Sequence, residues 1–191
     1  MNLVEFAGLQ LIAVPGVVMT PRPASHALVE RALAHIGDRE ATIVDAGTGS
    51  GAIAIAIARS APRAEVWATD VSEAAVGLAR RNAERLGVRV KVRRGDLLDP
   101  VPGAIDVVVA NLPYLPLGER ALHDDLASEP VDAVFAMGDG LDPYRRLVAA
   151  AAERLAPDGL LAVQLRGELV AAGAHELELL DHLFAEEERA A

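Results

Sequence analysis

The sequence predicts an α/β fold in which a doubly wound, mostly parallel sheet is covered by helices. Apolar stretches of strand length alternate along the chain with helical stretches, and parallel strands require such crossover helices. Three closely spaced glycines lie within residues 45–51, between a strand and a helix, as is typical of this class. The 191 residues are 52% hydrophobic, which is enough for one buried core. We expect one compact domain, with a lead-in over residues 1–40 and the main body over residues 41–191.

The lead-in combines short apolar stretches with one amphipathic helix. Leu9–Ala13 and residues 17–20 are separated by a Pro-Gly turn, which predicts a hairpin or an extended segment. Apolar residues recur at helical spacing over residues 24–36, and Gly37 is a plausible stop for that helix.

Five strands and three helices are predicted in the main body. The strands span Thr42–Ala46, residues 64–69, residues 88–94, Ile105–Ala110 and residues 160–165. The helices span Ala52–Ser60, residues 72–86 and residues 141–156. Ser72 is the expected N-cap and Gly87 the stop of the second helix, while Pro157-Asp158-Gly159 closes the third.

Two segments depart from this alternation. Residues 112–140 show little periodicity and are long for a loop, which indicates a lid or binding segment. After residue 165 the chain is acidic with a largely helical pattern, so the C-terminal edge of the sheet is expected to be shortened. An exposed edge needs cover, either by self-association as a homo-oligomer or by the tail itself. The apolar contacts would come from Leu177, Leu179, Leu180 and Leu183.

The net charge of −10 disfavours nucleic-acid binding, because an acidic surface repels phosphates. The absence of cysteine excludes disulfides and thiolate chemistry, and suits the cytoplasm. We find no secretion signal, no membrane span and no histidine spacing typical of a metal site. The basic cluster within residues 80–94 is interpreted as a solvated face, and Arg22 as a surface residue or a residue that closes the ligand pocket.

Acidic residues accompany the glycine loop. Asp45 begins the loop, Asp70 ends the second core strand, and Asp96 follows the third. Strand ends of a doubly wound sheet face one crevice, where acids can bind a ribose diol, an amino group and an adenine amine. S-adenosylmethionine carries all three groups. The glycine spacing alone does not exclude NAD, but Asp45 would repel its pyrophosphate. Each acid alone can also be a turn cap.

The tetrapeptide Asn111-Leu112-Pro113-Tyr114 directly follows the strand Ile105–Ala110. The Asn side chain and the carbonyl before proline offer two fixed hydrogen-bond acceptors, and the tyrosine ring adds a flat surface. This combination suits a planar NH2 group. Together with the glycine loop, it indicates the acceptor pocket of a methyltransferase for an amide or an exocyclic amine.

These motifs together resemble the class I S-adenosylmethionine-dependent methyltransferases of the HemK/PrmC type. The likeness covers about residues 6–165, including residues 20–23, 129–130 and 139–146 beside the motifs above. The resemblance implies methylation of a glutamine side-chain amide in a protein, such as a peptide-release factor. It implies that Asn111 and the Leu112 carbonyl accept the two amide N–H groups, that Tyr114 stacks on the amide, and that Pro113 fixes the loop. The cofactor would contact Asp45, Gly47, Thr48, Gly49, Gly51, Asp70, Asp96, Leu97 and Asn111.

Several departures from the family leave alternatives open. Leu112 replaces the first of two prolines in the usual tetrapeptide, so the loop loses one constraint on φ. The helical domain that grips the release factor in the family is not recognised, which makes the protein substrate uncertain. Gln164, on the last predicted strand, is interpreted as an ordinary sheet residue. The alternatives are methylation of an adenine or guanine amine, and a catalytically weak cofactor-binding subunit that needs a partner.

Overall fold

A computed structural model describes residues 2–123, 126–166, 168–177 and 180. The strands are β1 Asn2–Phe6, β2 Leu9–Ala13, β3 Thr42–Ala46, β4 Glu65–Asp70, β5 Lys91–Arg94, β6 Ile105–Ala110, β7 Leu115–Pro116, β8 Phe135–Ala136, β9 Leu155–Leu165 and β10 Glu168–Gly173. The helices are α1 His26–Ile36, α2 Ala52–Ser60, α3 Glu73–Leu86, α4 Val131–Val134 and α5 Asp142–Arg154.

The centre of the molecule is a six-stranded sheet with the order β10-β9-β6-β3-β4-β5. All neighbouring strands are parallel except β10, which is antiparallel to β9. The order reverses direction at β3, so the chain winds outward both ways from the middle of the sheet. The predicted fold class is therefore confirmed.

The inner strands β3, β4, β6 and β9 are buried on both faces because helices cover both. Ile43 of β3 packs with α1, α2 and α3 in one buried cluster. Val44, its neighbour, points to the opposite face and packs with α5 in a second cluster. Successive residues of a strand alternate between the two faces, which explains the continuous hydrophobic runs in the sequence. The predicted boundaries of β3, α2 and β6 match the structure, and Ser72 caps α3 by accepting a hydrogen bond from the Ala75 N–H.

The N-terminal hairpin forms with a different partner from the predicted one. β2 pairs in antiparallel fashion with β1, from Asn2 opposite Ala13 to Phe6 opposite Leu9. The two-residue turn Ala7-Gly8 has positive φ at both positions, which matches the twist of a hairpin. Residues 17–20 form neither a hairpin strand nor a continuous extended segment: Val17 and Val18 lie in a turn, where both N–H groups donate to the Val14 carbonyl.

The junction of the last helix and strand also differs from the prediction. Helix α5 ends at Arg154, and β9 begins at once at Leu155, which pairs with Ile105. The register then shifts, and the next pairs join Val107 with Leu160 onward. The Pro-Asp-Gly sequence therefore lies in an irregularity within the strand and does not separate helix from strand. At the other edge β5 is shorter than predicted, beginning at Lys91.

The prediction of a largely helical tail is wrong for residues 168–173. This segment forms the edge strand β10, paired from Glu168 opposite Leu165 to Gly173 opposite Leu160. Leu177 and Leu180 are buried in the cluster that contains α5, as expected for a tail that covers apolar surface. Leu179 and Leu183 lie outside the described residues, and self-association stays a prediction.

The long segment after β6 has short elements of its own. Strands β7 and β8 form a parallel pair beside the main sheet, and a 3-10 helix spans Leu117–Leu122. In the described part of the chain, no helix combines the length and apolarity that a membrane crossing requires.

Candidate functional site

Asp45 supports the glycine loop from the interior of the protein. This side chain is fully buried, and its Oδ2 accepts hydrogen bonds from Thr48 Oγ1 at 2.6 Å and the Ala54 N–H at 3.1 Å. Its Oδ1 has no hydrogen-bond partner among the described residues. Burial raises the pKa of Asp45 to about 6, although the bonds from Thr48 and Ala54 oppose the shift. The carboxylate supports the loop and does not reach the crevice, which corrects the expected direct contact with a ligand.

The second acid lies at the front of the loop. Asp70 Oδ2 accepts a hydrogen bond from the Gly49 N–H, and Oδ1 accepts one from the Ser72 N–H, each at 2.9 Å. Burial raises the pKa of Asp70 above its ordinary value, while these two N–H groups act in the opposite direction. Each oxygen keeps a further lone pair for a ligand hydroxyl.

Gly47 lets the glycine loop touch the tetrapeptide. Its φ is +71°, and a Cβ at this position would lie 2.5 Å from Leu112 Cδ2. The N–H groups of Gly47 and Thr48 both donate to the Thr69 carbonyl at 2.9 Å, which holds the loop against β4. The positive φ favours glycine at this position, and any side chain there would also have to displace the end of Leu112.

A cavity of about 590 Å³ opens at the carboxyl ends of the strands, and we call it the glycine-loop cavity. Of the predicted cofactor residues, the cavity is lined by Gly47, Gly49, Asp70, Asp96, Leu97 and Asn111. Asp45, Thr48 and Gly51 are buried and do not line it; Gly51 precedes α2 with a left-handed backbone. Asp96 forms an ion pair with Arg146, and the Leu97 carbonyl accepts a hydrogen bond from Thr69 Oγ1 at 2.6 Å.

A second cavity of about 540 Å³ lies beside the first, and we call it the tetrapeptide cavity. It is lined by all four predicted catalytic residues: Asn111, Leu112, Pro113 and Tyr114. Asn111, Leu112 and Pro113 line both cavities, as do Met19 and Ala133, so these three tetrapeptide residues form part of the wall where the two spaces meet.

Leu112 is held by a tyrosine whose role the sequence did not reveal. Tyr144, on α5, is completely buried, and its hydroxyl lies 2.8 Å from the Leu112 carbonyl and 2.6 Å from the Gln164 carbonyl. The Leu112 N–H donates to the same hydroxyl at 3.2 Å. Proline has no N–H and cannot make that bond. Leucine at this position therefore lacks the constraint that proline would place on φ, but it makes a hydrogen bond that proline could not make.

The side chain of Asn111 belongs to a buried polar chain. Its Nδ2 donates to Ser25 Oγ at 3.1 Å, and the Ser25 hydroxyl donates to Gln164 Oε1 at 2.6 Å. Gln164 also lines the tetrapeptide cavity, in addition to its place in β9. The three partners are far apart in sequence, and neither periodicity nor spacing could have joined them.

Two further contacts fix the walls of the tetrapeptide cavity. Arg22, which lines this cavity and not the glycine-loop cavity, pairs with Glu129 at 3.2 Å. Glu129 also accepts a hydrogen bond from the Thr20 N–H at 3.0 Å. Gly140 has φ +88°, and a Cβ there would lie 2.3 Å from the Tyr114 carbonyl oxygen. The Glu129 contacts tie the lead-in to the segment that follows the tetrapeptide, and Gly140 brings the turn before α5 against Tyr114.

The basic cluster lies away from both cavity linings. Lys91 and Arg93 lie over the Trp67 ring, at 4.7 and 5.7 Å from its centroid. Arg80 donates to the Val92 carbonyl. Across the described ranges, no group of three or more histidine and acidic residues is positioned to hold a metal ion.

A doubly wound sheet, a glycine loop and an acid at the end of the second core strand are shared by several nucleotide-binding folds. Together with the tetrapeptide at the end of β6, they are the features of the class I S-adenosylmethionine-dependent methyltransferases. The site suits that cofactor: its volume lies within the roughly 300–1,000 Å³ of small-molecule sites, and Gly47 and Gly49 leave room for close backbone approach. Residues 10–131 match the model of the methyltransferase small domain, and the chain belongs to this family.

Named relatives agree with the resemblance seen in the sequence. The release factor glutamine methyltransferase of Moorella thermoacetica is 44% identical over 166 residues, which cover 84% of the chain and 58% of the relative. The enzyme of the same name from Neisseria gonorrhoeae is 37% identical and is aligned over 94% of the chain and 69% of its own length. The chain thus spans less than two thirds of the first of these relatives.

Solved structures support the fold. A methyltransferase from Pyrococcus furiosus has a TM-score of 0.63 at 22% identity, covering 96% of the chain and 78% of that protein. The Thermus thermophilus 16S rRNA N2 G1207 methyltransferase, in complex with AdoMet and guanosine, has a TM-score of 0.61 at 22% identity. It is matched over 84% of the chain and 40% of its own length.

Proposed function

We propose that the chain transfers a methyl group from S-adenosylmethionine to the side-chain amide nitrogen of a glutamine in a protein. The observation that carries this proposal is the wall of Asn111, Leu112 and Pro113 shared by two adjoining cavities. One cavity would hold the cofactor and the other the amide, so donor and acceptor would meet at the tetrapeptide. Peptide-release factors are the proposed substrates because the relatives carry that name.

The cofactor would be held by backbone and carboxylate groups. Asp70 would accept hydrogen bonds from the ribose diol, and Asp96 with Leu97 would border the adenine. The backbone of Gly47 and Gly49 would lie against the rest of the molecule. When bound, S-adenosylmethionine supplies a methyl group made electrophilic by a positive sulfonium.

The tetrapeptide would orient a poor nucleophile. An amide nitrogen has a delocalised lone pair, so its orientation matters more than the strength of any base. Asn111 Oδ1 and the Leu112 carbonyl would accept the two N–H bonds of the glutamine. The carbonyl has two lone pairs, and Tyr144 engages only one of them. Tyr114 would pack on the flat amide, and the proton lost from nitrogen would pass to solvent.

The acidic character of the chain favours a protein acceptor. A net charge of −10 opposes the phosphate contacts that dominate nucleic-acid affinity. The basic cluster that could offset this lies away from the lining of the tetrapeptide cavity. A substrate of the translation apparatus would place the activity in the cytoplasm.

The proposal is tested with purified chain, tritiated S-adenosylmethionine and a bacterial release factor isolated without its methyl group. We expect protease-sensitive label that fragmentation maps to one glutamine. Asp70→Ala serves as a control that should abolish labelling through loss of cofactor binding. A parallel reaction contains nucleic acid in place of the release factor, and label there that nuclease removes would instead support the exocyclic-amine alternative. Cofactor binding without label in any acceptor would support a subunit that needs a partner.

A further inference from the structure

We propose that Ser25 and Gln164 are positioning residues that set which end of the Asn111 amide faces the acceptor. The inference rests on the proposed function, because only an acceptor that presents N–H groups requires the Asn oxygen. It concerns two residues outside the tetrapeptide and the glycine loop, contributed by the lead-in and by β9.

The direction of the hydrogen bonds follows from the donor capacity of each group. Ser25 has one hydroxyl hydrogen, and Gln164 Oε1 can only accept, so that hydrogen is donated to Gln164 over 2.6 Å. The Ser25 oxygen then presents only lone pairs to Asn111. It can be satisfied there only by an N–H donor, which is Nδ2 at 3.1 Å.

This direction decides the chemistry of the cavity. The two substituents on Asn111 Cγ diverge, so holding Nδ2 at Ser25 turns Oδ1 away from Ser25. Reversal of the chain would make Ser25 donate to Oδ1 and leave an NH2 group for the acceptor. An NH2 group facing the N–H bonds of a glutamine would repel them, and the amide would not be held.

Burial strengthens the preference for the orientation in which Asn111 Nδ2 faces Ser25. Ser25 is 4% and Gln164 6% exposed, so little water is available to replace a lost partner. Gln164 is further fixed by its main chain, whose carbonyl lies 2.6 Å from the Tyr144 hydroxyl. A single residue of β9 therefore supports Asn111 through its side chain and Leu112 through its backbone.

The decisive variants change the donor and acceptor capacity at nearly constant size. When ionised, the side chain introduced by Gln164→Glu offers only acceptors to Ser25 and preserves the direction, so methyl transfer should then stay within about threefold of wild type. Gln164→Met removes the acceptor and frees the Ser25 hydrogen, so kcat should fall by about tenfold. Ser25→Ala should lower kcat similarly, while Ser25→Thr restores it. Ser60→Ala, on the exposed end of α2, is the control for a serine lost elsewhere.

A second readout does not depend on the acceptor. The side-chain NH2 resonances of Asn111 are assigned in ¹⁵N spectra by their loss in Asn111→Ala. They should move in Ser25→Ala and Gln164→Met, and stay near their wild-type positions in Gln164→Glu. The affinity for S-adenosylmethionine should stay within about threefold in all four variants, since neither Ser25 nor Gln164 lines the glycine-loop cavity.

The outcomes separate this inference from the proposed function. Unchanged Asn111 resonances in Ser25→Ala would overturn the inference, and so would equal activity of Gln164→Glu and Gln164→Met when the wild type methylates the substrate. If the resonances move as described but wild type methylates no glutamine, the orientation of Asn111 stands and the proposed function fails. If Gln164→Met does not fold, the comparison of kcat between Ser25→Ala and Ser25→Thr tests the inference by itself.

Discussion

Replacing Tyr144 with phenylalanine tests whether one buried hydroxyl holds the tetrapeptide. The change leaves the ring in place and removes the group that the Leu112 N–H donates to, together with the one hydroxyl hydrogen that lies between the Leu112 and Gln164 carbonyls. An unsatisfied buried N–H costs about 1–3 kcal/mol, and each net hydrogen bond contributes about 1 kcal/mol. We therefore expect the free energy of unfolding to fall by about 2–4 kcal/mol in urea titrations without ligand.

A double-mutant cycle isolates the contact with Leu112. Leu112→Pro removes the N–H, so Tyr144→Phe should destabilise the Leu112→Pro background less than wild type, by about 1–2 kcal/mol. The other tyrosine of the chain supplies the control, because Tyr114 is only partly buried and Tyr114→Phe should change stability by less than about 0.5 kcal/mol. A Tyr144→Phe protein as stable as wild type, or a cycle without coupling, would refute the reasoning.

Three further changes have definite expectations. Asp45→Asn should remove a pH dependence of the free energy of unfolding. The pKa of Asp45 in the folded chain is about 6, above the ordinary 3.8. The protonated carboxyl therefore contributes stability to the wild type below pH 4, and this contribution is lost as the pH rises through 6. Relative to Asp45→Asn, the urea-derived unfolding free energy of wild type should fall by about 3 kcal/mol across that range. Gly140→Ala should destabilise by at least about 2 kcal/mol more than Gly138→Ala in the same titration, because only the former meets backbone. Asp96→Ala should weaken calorimetric binding of S-adenosylmethionine about tenfold, whereas the exposed Asp99→Ala should not.

Each of these expectations has a contrary result. Parallel pH profiles of wild type and Asp45→Asn would mean that this carboxyl is ionised normally in the folded chain. Equal effects at Gly140 and Gly138 would show that the turn does not press on Tyr114. Unchanged cofactor affinity in Asp96→Ala would remove that side chain from the cofactor site.

Local chemistry explains which elements the sequence predicted well. The boundaries of β3 and α2 follow from the glycine loop between them, and α3 has an N-cap at Ser72 and a glycine stop. Strand β10 was missed because its residues, ELVAAG, have little intrinsic strand preference, and its conformation is set by pairing with β9.

The same distinction applies to the site. The tetrapeptide and Asp70 were recognised because each lies at a strand end, where the fold brings residues to one crevice. The residues that hold the Asn111 side chain were not recognised, because Ser25 lies 86 residues before Asn111 and 139 residues before Gln164 in the sequence. Asp45 was recognised but misplaced, because the sequence does not tell on which side of the loop a carboxylate is buried.

The most direct test of the central claim is the effect of Asn111→Ala on two quantities measured with one preparation. Calorimetry gives the dissociation constant of S-adenosylmethionine, and single-turnover transfer to the release factor gives the rate of methylation. We expect a dissociation constant within about tenfold of wild type and a methylation rate lowered by at least about a hundredfold. Wild-type methylation by the Asn111→Ala protein would contradict the assignment of this wall to the acceptor amide.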